Sequence, residues 1–86
     1  MSDQLTASVI EVIAKTQHLP PESITVDKTF AELKIDSLDG MNILFAVESE
    51  FDITIPDEQA AGIKSVRQMV EGIEKLVAAK EAAPLG

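Results

Sequence analysis

The chain contains no cysteine, so neither a disulfide nor a cysteine-based metal site can staple its core. Helix packing has to supply the stability, and the absence fits a reducing compartment without requiring one. The single histidine, His18, has no second histidine or thiol to complete a zinc site, so it reads as a loop or surface residue and no metal is expected. No apolar run approaches the roughly 18 residues needed to span a bilayer. The opening stretch MSDQLTASVIEV has an acidic residue where a secretory signal needs positive charge. These absences lead to the expectation of a cytoplasmic protein without membrane insertion. Basic residues are also scarce, seven against 15 acidic ones, for a formal net charge of −8. That balance disfavours nucleic acid and anionic membranes as partners and favours proteins with basic patches. An acidic surface also serves simply to keep a small domain in solution.

What is present is enough for one modest core. A length of 86 residues suits a single domain over residues 1–86, ordered over about 3–78 with a frayed tail at 79–86. There is no internal repeat and no low-complexity segment. Leu5, Val9, Val12 and Ile13 share one helical face and predict a first helix from about Asp3 to Thr16, capped by Ser2 or Asp3. Pro20 and Pro21 stop any continuation. Residues 17–36 show no long period and form an unusually long connection, with Ile24, Val26, Phe30 and Leu33 as apolar pins. Thr29 and Glu32 have capping-box spacing, which predicts a helical turn around Phe30.

Asp36 is placed to cap a second helix over about Ser37–Glu50, with Asp39 in its first turn, where the helix dipole favours negative charge. Leu38, Met41, Leu44, Phe45 and Phe51 make one apolar stripe, and Ile43 and Val47 widen it, so this helix is expected at the centre of the bundle. Pro56, Asp57 and Glu58 begin a short third helix that should stop at Gly62. Ser65 and Gln68 form a capping box for a fourth, whose core face is Val66, Met69, Val70, Ile73, Leu76 and Val77. The predicted fold class is therefore all-α: a small four-helix bundle with a long first loop and a short third helix.

Catalytic groups are few. An EF-hand reading of the acidic cluster fails on spacing, since from Asp36 positions 3, 6 and 12 are Leu38, Met41 and Val47. Ser37 has two readings. In one it only fills the first turn behind the Asp36 cap. In the other its hydroxyl, at the positive end of the helix dipole, is a favourable place for an esterified phosphate. No base accompanies it, so another protein would have to perform the chemistry, and no residue is assigned a catalytic role.

Taken together, Asp36-Ser37-Leu38 and the following stretch IDSLDGMNILFAVESEFDITIP resemble the acyl carrier protein family over about residues 3–78. The resemblance implies that a phosphopantetheinyl transferase (holo-carrier synthase) attaches a 4′-phosphopantetheine arm to Ser37, with Asp36 helping to hold that enzyme's magnesium. It implies a monomeric, non-enzymatic carrier of acyl thioesters that serves acyl-transferring, condensing or ligase enzymes of fatty-acid, lipid or secondary-metabolite synthesis. An aminoacyl or peptidyl carrier, or an unmodified helical interaction module, are the alternatives. It further implies partner contacts at Asp36, Leu38, Asp39, Met41 and Glu48, and shelter for the acyl group beside Phe45, Val47 and Ile63.

Three departures stand out. Lys34 replaces the family's usual glycine, so the backbone is expected to approach Ser37 by a different path. Asn42 and Ser49 thin the acidic face of helix 2, and only seven steps separate Phe30 from Ser37. These features favour a specialised, freestanding carrier. Gly40 costs helix 2 about 1 kcal/mol relative to alanine.

Overall fold

The computed structural model describes the backbone of residues 3–82 and the side chains of residues 4–80. It contains four α-helices: α1 (Asp3–Gln17), α2 (Ser37–Phe51), α3 (Asp57–Gly62) and α4 (Val66–Ala82), with a 3-10 turn at Pro21–Ser23 in the first loop. This is the expected all-α bundle with a long first loop and a short third helix. The core gathers Val9, Ile13 and Ala14 from α1, Ile43 and Val47 from α2, and Val66, Met69, Val70 and Ile73 from α4. Full burial of each of the valine, isoleucine and methionine side chains contributes roughly 1.5–3 kcal/mol. Leu76 and Val77 of α4 are half-buried against the same cluster.

Helix α1 closely approaches both α2 and α4, and α2 shares the core with both through Ile43 and Val47. The α2 core face differs from the expectation. Ile43 and Val47 are fully buried, whereas Leu38, Met41 and Phe45 are 69%, 51% and 59% exposed. Only Leu44 and Phe51 of the expected stripe pack against the core.

The long first loop is held by its backbone as well as by its apolar pins. Ile24 is buried, and Val26, Phe30 and Leu33 pack on the core. Ile35, which the sequence reading passed over, is buried too. Thr29 forms an isolated antiparallel bridge with Ser65. The Phe30 N–H donates to the Lys64 carbonyl, and the N–H groups of Val66 and Arg67 donate to the carbonyls of Lys28 and Val26. First-turn amides of α4, which have no partner inside their own helix, are thereby satisfied by the loop. The Ser65 hydroxyl accepts from Gln68 N–H, and the Gln68 carboxamide returns the bond to Lys64 N–H, one residue before the position the capping-box pattern specifies.

The turn around Phe30 has the predicted capping box. Thr29 Oγ1 accepts from Glu32 N–H, and Glu32 Oε1 accepts from Thr29 N–H at 2.9 Å. These bonds with Thr29 hold the Glu32 carboxyl below its usual range. Its contribution to stability is therefore complete above the unfolded carboxylate pKa and is lost as pH falls through the lower folded value.

Three helical segments end on a non-glycine residue in the left-handed region: His18 (φ 56), Lys34 (φ 61) and Asp52 (φ 54). α1 therefore stops at His18, two residues before the proline pair, and His18 itself is exposed. At Lys34 the amide donates to Ala31 and the next amide, Ile35, donates to Phe30. This is the Schellman pattern, in which glycine is the usual left-handed residue. Lys34 thus takes the backbone conformation that glycine adopts freely, which corrects the expected detour and leaves local strain in its place. Lys34→Gly is expected to raise stability by about 0.5–1 kcal/mol, the relief of left-handed strain less the extra unfolded-state entropy of glycine. A urea midpoint that rises at unchanged slope is the check.

α3 ends at Gly62 as expected, with Gly62 its last helical residue and Ile63 capping it with extended backbone. α4 continues to Ala82, beyond the point where fraying was expected, and residues 83–86 lie outside the described residues. So does Ser2, one of the two expected caps of α1, and the side chain of Asp3, the other.

Candidate functional site

Ser37 is the first residue of α2 and is exposed. The preceding residue builds its position. Asp36 has extended backbone (φ −85, ψ −177), and its Oδ1 accepts from Asp39 N–H at 2.9 Å, which is the expected N-cap. The Asp36 carbonyl accepts from Gly40 N–H at 2.8 Å. With the Schellman turn on one side and the cap on the other, the backbone at Ser37 is held from both directions. Its hydroxyl has no hydrogen-bond partner among the described residues, so it is free to react.

Ser37 stands at the edge of a groove of about 830 Å³ between α2, α3 and the end of the first loop. A volume of this order suits a small ligand or a flexible chain. Met41, Leu44 and Phe45 of α2, Ala60 and Ala61 of α3, and Ile63 after it form apolar walls, with Met69 of α4 also in the lining. The sequence reading placed Phe45 and Ile63 beside a sheltered chain, and both line the groove. Val47 does not, because it points into the fully buried core. Ile35, Thr54, Ile55, Ala60, Ala61 and Lys64 were not foreseen as lining residues.

The charged groups are unevenly placed. Asp36, Glu48, Asp57 and Lys64 line the groove, and Lys34 lies three positions before Ser37. Asp36 is committed to its cap through one oxygen. Glu48 is half-buried, and its Oε2 accepts from Ile55 N–H at 2.7 Å. A residue expected on the partner-facing surface is therefore engaged within the fold. Leu38 and Met41 are open to solvent, Met41 in the groove lining with Ser37, while Asp39 is half-buried. The structure thus brings Asp36, Ser37 and Met41 to one groove mouth together with Glu48, but with Glu48 turned to the linker that follows α2. Among the described residues no three histidine, cysteine, aspartate or glutamate side chains are grouped to hold a metal ion.

A bundle that presents an unbonded serine hydroxyl at the start of a helix, beside an apolar groove, defines the class of carrier domains that bear a covalent arm. The model of the phosphopantetheine attachment site family matches residues 7–73. An acyl carrier protein of Rickettsia bellii is 42% identical over 74 residues, covering 85% of this chain and 86% of that protein. A mitochondrial acyl carrier protein of Dictyostelium discoideum is 40% identical over 77 residues, which is 90% of this chain but 64% of that protein's length. The crystal structure of an acyl carrier protein from Thermotoga maritima superposes with a TM-score of 0.80 at 26% identity, covering 90% of this chain and 91% of that one. The chain belongs to the acyl carrier protein family of phosphopantetheine-bearing domains.

Proposed function

We propose that Ser37 is the residue that receives the 4′-phosphopantetheine arm, and that the chain uses it to carry acyl groups between enzymes without catalysing any step itself. The single observation that carries this reading is the exposed Ser37 hydroxyl, free of internal bonds, at the mouth of the α2–α3 groove. When bound, the arm supplies the thiol that this cysteine-free chain lacks. The fit is favourable at both ends. The first turn of α2 offers a positive dipole end beside an esterified phosphate, and the apolar groove offers cover for a hydrocarbon chain.

Among the described residues no base is hydrogen-bonded to the Ser37 hydroxyl, so deprotonation and transfer fall to a phosphopantetheinyl transferase. Asp36 would help to hold that enzyme's metal while its Oδ1 keeps the helix capped. Leu38 and Met41, exposed beside Ser37, supply the apolar contact for partner enzymes, and Asp39 adds a negative charge that suits a basic rim. Acyl-transferring, condensing and ligase enzymes are the partners we propose, with the carrier acting as a monomer in the cytoplasm. No described helix is long and apolar enough to cross a membrane.

Co-expression with a broad-specificity phosphopantetheinyl transferase tests the reading. Intact-protein mass spectrometry should show the addition of one arm. A purified polypeptide whose mass stays unchanged in the presence of an active transferase overturns it.

A further inference from the structure

One residue of α2 organises the whole connection to α3. The Glu48 carbonyl accepts the N–H of Asp52 and the N–H of Ile53, while the Glu48 carboxylate accepts the N–H of Ile55 at 2.7 Å in a half-buried setting. Three of the four amides that follow Phe51 therefore end on Glu48. From the opposite side, Lys80 of α4 reaches Asp52 Oδ2 at 3.1 Å and the Phe51 carbonyl. Both of those contacts are exposed, so they hold less firmly than the half-buried bond to Glu48. The segment so anchored is a wall of the groove: Thr54 and Ile55 line it, Glu48 lines it beside them, and Ile55 is 7% exposed.

We propose that Glu48 is a positioning residue that fixes the α2–α3 linker as a wall of the acyl groove and thereby sets which acyl chains are sheltered. This rests on the carrier reading above and gives Glu48 a role beside the partner contact that the resemblance implied. The side chain acts through Ile55. With the carboxylate in place, the Ile55 amide is held against the end of α2 and its side chain is kept turned into the groove. Without it, the linker remains tied to α2 only at Asp52 and Ile53, and the wall beyond them can swing out. A hydrogen bond to an ionised group at a half-buried site is among the stronger single contacts available, and a backbone amide left without it at such a site is destabilised.

The test compares Glu48→Ala and Glu48→Gln with the wild type in two measurements. The first is amide hydrogen exchange, with Ile13 of the buried α1 core as the internal standard for global opening. In Glu48→Ala, Ile55 should exchange roughly tenfold or more faster relative to Ile13. Glu48→Gln keeps an acceptor oxygen and should restore most of the protection. The second measurement loads each arm-bearing protein with short, medium and long straight-chain acyl groups and follows thioester cleavage by hydroxylamine. Glu48→Ala should change the dependence of cleavage on chain length, and Glu48→Gln should return it towards that of the wild type.

If Ile55 keeps pace with Ile13 in Glu48→Ala, the anchoring role is wrong. Slower arm transfer in that variant with unchanged Ile55 exchange would leave Glu48 with its partner contact alone. Faster Ile55 exchange with an unaltered chain-length profile overturns the selectivity claim. A wild-type protein that protects no chain length at all defeats the sheltering part of the carrier reading, and the exchange data still decide whether Glu48 holds the linker.

Discussion

Ser37→Ala is expected to abolish attachment of the arm completely while leaving the bundle intact. The loss should be all or none because no other described serine shares the setting. Ser65 caps α4, and Ser23 donates to the Pro20 carbonyl in the first loop. Ser8 lies within α1, and Ser49 lies in the last turns of α2, while Ser2 is outside the described residues. Among the described serines only Ser37 combines an exposed hydroxyl without an internal partner with a place in the groove lining. The fold should be indifferent to the change. Asp36, not Ser37, provides the cap oxygen, alanine has the highest helix propensity, and substitutions at exposed positions of this kind usually stay within about 0.5 kcal/mol. Intact mass after co-expression with a transferase reads the first expectation, and a urea midpoint matching the wild type reads the second. A Ser37→Ala protein that still gains the arm would move the attachment point elsewhere. One that fails to fold would show Ser37 to be a structural residue.

The helices were legible because their ends are written in local chemistry. Asp36, Ser65 with Gln68, and Thr29 with Glu32 are placed where side-chain oxygens reach backbone amides three residues on, and each of these bonds is present. The stopping points were read less well. His18 and Asp52 end helices in the left-handed conformation that composition assigns first to glycine, whereas Gly62 remains helical. A stop depends on the backbone bonds that close it, Leu19 N–H to the Ala14 carbonyl after α1 and Asp52 and Ile53 N–H to the Glu48 carbonyl after α2, not on one permissive residue. The serine was legible through the resemblance carried by its neighbours, and from Asp36-Ser37-Leu38 alone two readings stood open. Of the groove walls, Phe45 and Ile63 were named through the resemblance, and the linker wall was not legible. Ile55 lies seven residues beyond the carboxylate that holds its amide, outside the three- and four-residue spacings by which helical partners are found.

Ile43→Ala is expected to cost about 2–5 kcal/mol, a large part of the total stability, on the order of 5–10 kcal/mol, available to a chain of this length. Phe45→Ala, two residues along the same helix, should change stability by no more than about 0.5–1 kcal/mol. The order is not the one that residue size suggests, since phenylalanine is the larger apolar group. Periodicity along α2 identifies apolar residues, but more than one face qualifies, and the pattern does not say which face is covered. In the structure Ile43 and Val47 have no exposed surface and meet the core shared with α1 and α4, so truncating Ile43 leaves a cavity among side chains that cannot all move to fill it. Phe45 is 59% exposed and lines the open groove, so its removal leaves nothing unpacked beneath it. An apolar face left open to solvent on a small acidic chain is costly to solubility and has to be retained for another reason, and its position beside Ser37 supplies one. The two variants should therefore separate in opposite assays: urea unfolding should distinguish Ile43→Ala from the wild type, and protection of a bound acyl chain should distinguish Phe45→Ala. A Phe45→Ala protein that unfolds as readily as Ile43→Ala would place that ring in the core and deprive the groove of one of its walls.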